Sequence, residues 1–144
     1  MDQLTKDYKA LVRNAWRLFY LSHRAWAVSI EAAGLTTASF PVLEMIVQNP
    51  GVTQQEITDQ VSLDKSCTSR ACKALEEKGF IRREKCQKSA HAFRCYPTLK
   101  ASGVVERIVD EEIRHINGLF SELDPQRIAG ISADLAELVE KMRT

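Results

Sequence analysis

Apolar residues recur at three- and four-residue steps in two long stretches of the chain, one toward each end. The first stretch, from Leu4 to about Ile30, contains no Gly or Pro and predicts one long amphipathic helix that ends at Gly34. The second stretch follows Thr98, and Asp124-Pro125 then caps and opens a last helix. Each of these helices carries an apolar stripe, and a second copy of the chain would cover it.

The segment between these stretches predicts three shorter helices. Thr36 is the expected N-cap of the first, which runs to Val47. Thr53-Gln54-Gln55-Glu56 has the form of a capping box and opens the second. Asp64 is the expected N-cap of the third helix, and Gly79 ends it.

Two extended segments follow the third short helix, Phe80–Lys85 and Ala92–Pro97. In the second segment Phe93 and Cys95 alternate with polar neighbours, which is typical of a half-buried strand. The polar stretch Cys86–His91 is the predicted tip of a β-hairpin. The order of elements therefore predicts a mainly α fold with a small β-hairpin wing attached to a helix-turn-helix.

The 144 residues fit a single domain that spans 1–144. Within it we expect a winged helix-turn-helix lobe at 36–98 and dimerisation helices at 4–33 and 99–144. A hydrophobic fraction of 44% and a charged fraction of 27% are typical of a soluble globular protein. The sequence shows neither a signal-peptide pattern nor an apolar run of about 20 residues, and its four cysteines do not suggest a stapled secreted domain. We therefore expect a cytoplasmic protein without membrane contact.

The formal net charge of +1 conceals a strong asymmetry. Between Asp64 and Lys100 there are ten basic and four acidic residues, a net charge of +6, and the rest of the chain carries −5. A basic block inside an acidic chain is the footprint of a surface that binds a polyanion. The alternative is a solvated face that happens to be basic.

The residue types in this block suit double-stranded DNA. A helix fits the major groove, where Lys and Arg read bases or neutralise phosphates, and a basic hairpin suits the adjacent minor groove. Glutamines at the start of a helix are candidate contacts to the phosphates of the DNA backbone. The candidate DNA-binding residues are Lys65, Ser66, Ser69, Arg70 and Lys73 on the third short helix, Gln54 and Gln55 at the start of the second, and Lys88, His91 and Arg94 near the hairpin tip.

Several strings in this region resemble the MarR/SlyA transcription regulators. The segment 64–70 (DKSCTSR), followed by 75–81 (LEEKGFI), is similar to their recognition helix and helix-to-wing turn. Gly34-Leu35-Thr36 with Phe40 and Leu43 resembles their second helix, and 96–100 (YPTLK) resembles their exit from the wing. The resemblance implies an obligate homodimer with interlocking terminal helices in a bacterial or archaeal cell. It would bind a pseudo-palindromic operator as a nucleoid-associated regulator, and we predict a repressor.

One position departs from the family pattern. Counting back from Thr98, the family's wing motif Asp-x-Arg falls on Ser89-Ala90-His91, so its minor-groove arginine is absent. His91, Lys88 or Arg94 would have to take its place. A winged-helix module that binds another protein rather than DNA therefore remains an alternative, and the basic block counts against it.

All four cysteines lie in the segment 64–100. Cys72 and Cys95 are predicted to be small core residues, as free cysteines usually are. Cys67 and Cys86 are expected to be more exposed and lie near several basic residues, which makes them candidates for a thiol switch. No Cys-x-x-Cys spacing occurs, so no metal is expected.

Aromatic residues of the first two helices are candidates for an effector pocket. The resemblance implies a small aromatic or phenolic effector, with Trp16, His23, Trp26 and Phe40 as lining residues. The alternative, which we favour, places these side chains in the core or a dimer contact. The sequence carries no phosphate loop, dinucleotide turn or zinc-protease motif, so we expect neither an enzyme nor a cofactor.

Overall fold

The computed structural model describes residues 1–61 and 63–143, and the side chains of Ala90 and His91 lie outside that description. Residue contacts divide the chain into two units, residues 1–110 and 111–144. The helices are α1 Gln3–Ala32, α2 Phe40–Gln48, α3 Gln54–Val61, α4 Lys65–Glu77, α5 Leu99–Phe120 and α6 Pro125–Met142. The strands are β1 Val52–Thr53, β2 Ile81–Cys86 and β3 Ser89–Pro97. This arrangement confirms the predicted fold class, a mainly α chain with a small β wing.

Several predicted helix ends are confirmed by their capping geometry. At the end of α1, Gly34 adopts a φ of 78°, and its N–H donates to the carbonyl of Glu31 at 2.9 Å. At the start of α3, Thr53 N–H donates to Glu56 Oε2 at 2.8 Å and Glu56 N–H donates to Thr53 Oγ1 at 3.1 Å. These two bonds form the predicted capping box. The Asp64 side chain accepts from Cys67 N–H at 2.7 Å and caps α4.

The start of α2 differs from the prediction. The helix begins at Phe40 rather than directly after Thr36. Thr36 and Ser39 instead exchange backbone-to-hydroxyl hydrogen bonds of 3.1 Å in each direction, which closes a turn before the helix. A hydroxyl residue can cap a turn as readily as a helix, because both leave the same backbone N–H groups free.

The wing also differs from the prediction in two respects. Its turn is Gln87–Lys88, so β3 begins at Ser89 and is longer than the predicted segment. The sheet has three strands in the order β1-β3-β2, with both pairs antiparallel. Strand β1 was not predicted, because a pair of residues is too short to show an alternating pattern.

The core of the first unit gathers side chains from all its elements. Phe80, Leu43, Ile46, Ile57 and Leu75 are its largest fully buried members. Burying a side chain of this size contributes about 1.5–3 kcal/mol to folding. The core therefore fixes α4 and the wing against α2 and α3.

A helix junction ties together the end of α1, the end of α4 and the start of α5. Lys78 Nζ donates to the Gly34 carbonyl at 2.8 Å, and Lys100 Nζ donates to the Lys78 carbonyl at 2.9 Å. Thr98 Oγ1 donates to the Gly79 carbonyl at 2.8 Å. Ammonium groups stabilise the negative ends of helix dipoles, so these lysines are well placed.

The second unit has no buried residue among those described in it. Its large apolar side chains lie instead in an exposed stripe along the end of α5 and along α6. Its exposed members are Ile113, Ile116, Leu119, Phe120, Ile128, Ile131, Leu138, Val139 and Met142. In the described part of the chain, no helix has the length and apolar character needed to cross a bilayer.

Candidate nucleic-acid interface

Helices α3 and α4 form a fixed helix-turn-helix pair. Thr58 Oγ1 donates to Thr68 Oγ1 across the pair at 2.9 Å, and Thr68 is only 1% exposed. Cys72 and Leu75 continue the buried face of α4 toward its end. Because these side chains face the core, the opposite side of α4 is presented to solvent.

The exposed side of α4 is basic and hydroxylic. It consists of the five predicted residues Lys65, Ser66, Ser69, Arg70 and Lys73, all of which are exposed. The serines are short, so a partner can approach the helix backbone between the basic side chains. This surface, the reading face, combines the charge and the space that a DNA groove requires.

Asp64 shapes the beginning of the reading face. Hydrogen bonds from Cys67 to its carboxylate hold the pKa of Asp64 below its usual value, with Arg70 adding a smaller electrostatic effect. The carboxylate is therefore charged at neutral pH and satisfies one free N–H of the first helical turn. A phosphate at this helix start would meet Lys65 rather than the N–H of Cys67.

The two glutamines at the start of α3 have different surroundings. Gln55 is exposed, and its amide donates to Asp59 Oδ1 at 3.0 Å. Gln54 is half-buried, and its amide oxygen accepts from Arg83 Nη1 at 3.2 Å. Both line a cleft of about 270 Å³ between the starts of α3, α4 and β3, together with Lys65.

Arg83 connects the wing to α4, and sequence reasoning did not find this role. Its Nη2 donates to Glu76 Oε1 at 3.0 Å, and its backbone N–H donates to Glu76 Oε2 at 3.1 Å. The guanidinium also lies 4.9 Å from the ring centroid of Phe93 on β3. The hydrogen bond from Arg83 lowers the pKa of Glu76, and the same bond raises the pKa of Arg83. No sequence signal pairs residues 29 positions apart, the separation between Gln54 and Arg83.

The predicted residues of the wing are separated by the structure. Lys88 lies in the turn and is exposed. Arg94 lies in the middle of β3, where it pairs with Glu84 and Thr53, and its Nη1 donates to the Gly51 carbonyl at 2.9 Å. Its guanidinium is therefore held against the loop before β1 rather than extended from the turn. The side chain of His91 lies outside the described part of the structure.

The cysteines occupy two kinds of site. Cys72 and Cys95 are both 0% exposed, as predicted for core residues. Cys67 and Cys86 are half-buried and free. Arg70 Nη2 donates to Cys67 Sγ at 3.2 Å, so one predicted sensor thiol contacts a basic side chain of the reading face.

The four predicted effector-pocket residues are not gathered in one place. Phe40 is buried in the core, and Trp26 packs against the same cluster. Trp16 is 67% exposed, and its ring contacts Phe19, which contacts His23 in turn. Among the described residues, the Trp26 indole N–H is buried without a hydrogen-bond partner.

A helix-turn-helix followed by a β hairpin that leads into a long helix defines a winged helix-turn-helix protein. A sequence model of the MarR family matches residues 35–92, which cover α2, α3, α4 and most of the wing. A similar solved structure, a MarR protein from Peptoclostridium difficile, has a TM-score of 0.83 and 21% identity, with 92% of this chain and 86% of that chain covered. The match to the MarR family is therefore shown for residues 35–92, and the fold of that structure is similar over most of the chain.

Two further solved structures show what similar proteins bind. A putative MarR family transcriptional regulator from Listeria monocytogenes, complexed with 26mer DNA, has a TM-score of 0.77 and 20% identity over 99% of this chain and 90% of that one. NadR, in complex with 4-hydroxyphenylacetate, has a TM-score of 0.76 and 15% identity over 87% and 89%.

A curated relative is similar in sequence over part of its length. It is an uncharacterized HTH-type transcriptional regulator of Bacillus subtilis, YybA, 30% identical over 70 residues. The match covers 49% of this chain and 47% of YybA, so the chain spans about half the length of this relative.

Proposed function

We propose that the protein is a transcription regulator that binds double-stranded DNA sequence-specifically through the reading face of α4. The observation that carries this proposal is the exposure of Lys65, Arg70 and Lys73, together with two serines, on the solvent side of a helix whose other side is buried. The match of residues 35–92 to the MarR family model and the DNA bound by the Listeria monocytogenes protein support it.

The residues of the site divide into those that touch DNA and those that hold the site in shape. Arg70 and Lys73 lie mid-helix, where side chains reach base edges, and Ser66 and Ser69 allow close approach. Gln55 is exposed, and its amide can contact a phosphate if it gives up its bond to Asp59. Gln54 acts through Arg83 as a positioning residue, since its amide oxygen already accepts from that guanidinium.

We propose further that the protein acts as a homodimer on a pseudo-palindromic operator, as a repressor. Exposed apolar side chains support this: α1 carries a group that includes Leu11, Trp16 and Phe19, and the second unit carries the stripe along α6. A second copy of the chain would cover such faces, and two-fold symmetry would place two reading faces about one helical turn of DNA apart.

We propose that a small aromatic acid regulates DNA binding by releasing the protein from its operator. The bound 4-hydroxyphenylacetate of NadR supports a ligand of this class. In this chain the unpartnered Trp26 N–H is a donor that a phenolic or carboxylate oxygen would satisfy. Oxidation of Cys67 or Cys86 is the second proposed route, and the contact between Arg70 and Cys67 supports it.

Selection of bound duplexes from random DNA tests the proposed function. We expect enriched sequences with two-fold symmetry whose binding weakens steeply with salt, because each neutralised phosphate contributes about 0.9 to the slope of log affinity against log salt. A purified protein that enriches no duplex even in dilute buffer would contradict the proposal and favour the protein-binding module.

A further inference from the structure

The guanidinium group of Arg83 joins the wing to both helices of the helix-turn-helix. Its Nη1 donates to the amide oxygen of Gln54 on α3 at 3.2 Å, and its Nη2 donates to the carboxylate of Glu76 on α4 at 3.0 Å. The same group lies 4.9 Å from the ring centroid of Phe93 on β3. The elements α3, α4, β2 and β3 therefore meet at this side chain.

The Arg83 side chain is placed to hold protein elements rather than to reach a solvent partner. It is only 16% exposed, and both of its Nη atoms already donate to the protein. Its Nε is buried and lacks a hydrogen-bond partner among the described residues. An unpaired buried N–H group is unfavourable, so its presence in a folded protein calls for a functional explanation.

The exposed lysines of the wing lie farther along the hairpin than Arg83. Lys85 follows on β2, and Lys88 lies in the turn. The turn begins at Gln87, four residues beyond Arg83, which corresponds to about 13 Å along a strand. A tilt of about 10° at Arg83 therefore moves the turn by about 2 Å, which is more than a hydrogen bond to a phosphate tolerates.

We propose that Arg83 is the positioning residue of the wing. Its bonds to α3 and α4 fix the direction of the hairpin, and this direction brings Lys85 and Lys88 to the DNA phosphates while the reading face of α4 lies in the major groove. The first half of the proposal concerns the protein alone. The second half, the contact of the two lysines with phosphates, rests on the proposed function.

A planar guanidinium is needed for this role because it donates in two directions while it covers an aromatic ring. A lysine at position 83 carries the same charge on one ammonium group. That group can bond to Glu76, but it cannot also reach Gln54 and cover Phe93. Arg83→Lys therefore keeps the net charge and loses the anchor to three elements. A direct contact between residue 83 and a phosphate, in contrast, would survive this substitution.

Residual dipolar couplings of the DNA-free protein, labelled with ¹⁵N, test the first half. In the wild type, the N–H couplings of β2 and β3 are expected to fit the same alignment tensor as those of α3 and α4. In Arg83→Lys the couplings of the hairpin are expected to fall by about half or to require a different tensor. Arg82→Lys is the matched control, because exposed Arg82 bonds to Glu84 of its own strand. Couplings in Arg83→Lys that equal those of the wild type overturn this half.

Titration of a duplex selected from random DNA tests the second half. At fixed salt, Arg83→Lys is expected to bind about tenfold or more weakly than the wild type, and Arg82→Lys is expected to bind equally well. The slope of log affinity against log salt is expected to become shallower by about 3.6, because two lysines in each copy of a dimer lose their phosphates. A repeated selection is expected to return the same sequence, because α4 still reads the bases. An unchanged slope or a changed sequence preference overturns this half.

A thermodynamic cycle separates positioning of the wing from a general loss of structure. In the Lys85→Ala/Lys88→Ala variant, the addition of Arg83→Lys is expected to cause no further loss of affinity. Gln54→Ala removes one anchor and serves as the second probe if Arg83→Lys fails to fold, and it is expected to weaken binding only when both lysines are present. Additive losses overturn the second half. A wild-type protein that binds no duplex contradicts the proposed function and the second half with it, whereas the dipolar couplings still decide the first half.

Discussion

Arg70 is the residue on which the proposed base reading depends most. It is exposed in the middle of the reading face. Its guanidinium can donate two parallel hydrogen bonds to the O6 and N7 acceptors of a guanine. We expect Arg70→Ala to weaken binding to the selected duplex by about 1–3 kcal/mol and to relax its sequence preference. A mobility-shift titration at fixed salt measures both effects.

The matched control for Arg70 is Arg107→Ala, which removes an exposed arginine from α5. It is expected to leave sequence preference unchanged. Equal losses of affinity in the two variants would show that Arg70 contributes only general positive charge.

Glu76 links stability to pH through its bonds with Arg83. The pKa of Glu76 is lower in the folded chain than its ordinary value of 4.5, so the stabilisation is present at pH values above 4.5. It is lost as the pH falls through the folded-state pKa. We therefore expect Glu76→Gln to lower Tm at pH 7, and the difference from wild type to shrink steadily below pH 4.5.

Thermal unfolding followed by circular dichroism measures this difference. Glu77→Gln, on the neighbouring exposed position, serves as the control. A difference between Glu76→Gln and wild type that does not change with pH would exclude the ion pair as its cause.

Single residues were predictable from the sequence where local chemistry fixes them. Asp64 and the Thr53–Glu56 pair cap helices as expected, because capping depends on residues within one turn. Arg83 and Arg94 were not predictable in this way. Their partners, Glu76 and the Gly51 carbonyl, are brought to them by the folding of the wing.

The capping box of α3 sets the start of the helix-turn-helix. Thr53 supplies its hydroxyl to Glu56 N–H while its own N–H is held by the Glu56 carboxylate. Thr53→Ala is expected to destabilise the fold by about 0.5–2 kcal/mol because an N–H of the first turn loses its partner. Thr53→Ser keeps the hydroxyl and is expected to retain most of the stability. Urea unfolding of the two variants compares them, and equal stability would refute the role of the cap.

The wing shows the limit of reading elements from their pattern. The alternation around Cys95 identified β3, but neither its true start at Ser89 nor the pairing with β1 leaves a local trace. Helices were predicted better, since a period of 3.6 residues repeats many times over a segment as long as α1. Short strands repeat their pattern only once or twice.

The oligomeric state of the protein depends on whether a second copy of the chain covers the exposed apolar faces. Ile131 is 50% exposed on the apolar stripe of α6, and Ala133 lies on the opposite side of that helix. Ile131→Glu is expected to shift the protein toward monomer and to weaken operator binding, whereas Ala133→Glu is not. Sedimentation velocity measures the mass of each variant. A wild-type protein that sediments as a monomer would contradict the proposed dimer.

The salt dependence of DNA binding follows from the whole charge arrangement. Of the ten basic residues between positions 64 and 100, five donate to oxygens of the residues that the structure describes: Lys78, Arg82, Arg83, Arg94 and Lys100. The remaining five are Lys65, Arg70, Lys73, Lys85 and Lys88. A dimer that uses only these is expected to show a slope of about −9 in log affinity against log salt, rather than the −18 that all the basic residues would give. Titrations from low to moderate salt measure it.

The helix junction around Lys78 makes the long helices and the reading helix mechanically dependent on one another. Its hydrogen bonds run from Gly34 through Lys78 to Lys100 without an intervening flexible linker. A displacement of the last turn of α1 is therefore expected to move the C-terminal end of α4 with it, because Lys78 is bonded to Gly34. A molecule that binds against α1 and moves its last turn would therefore also move α4 and the side chains of its reading face.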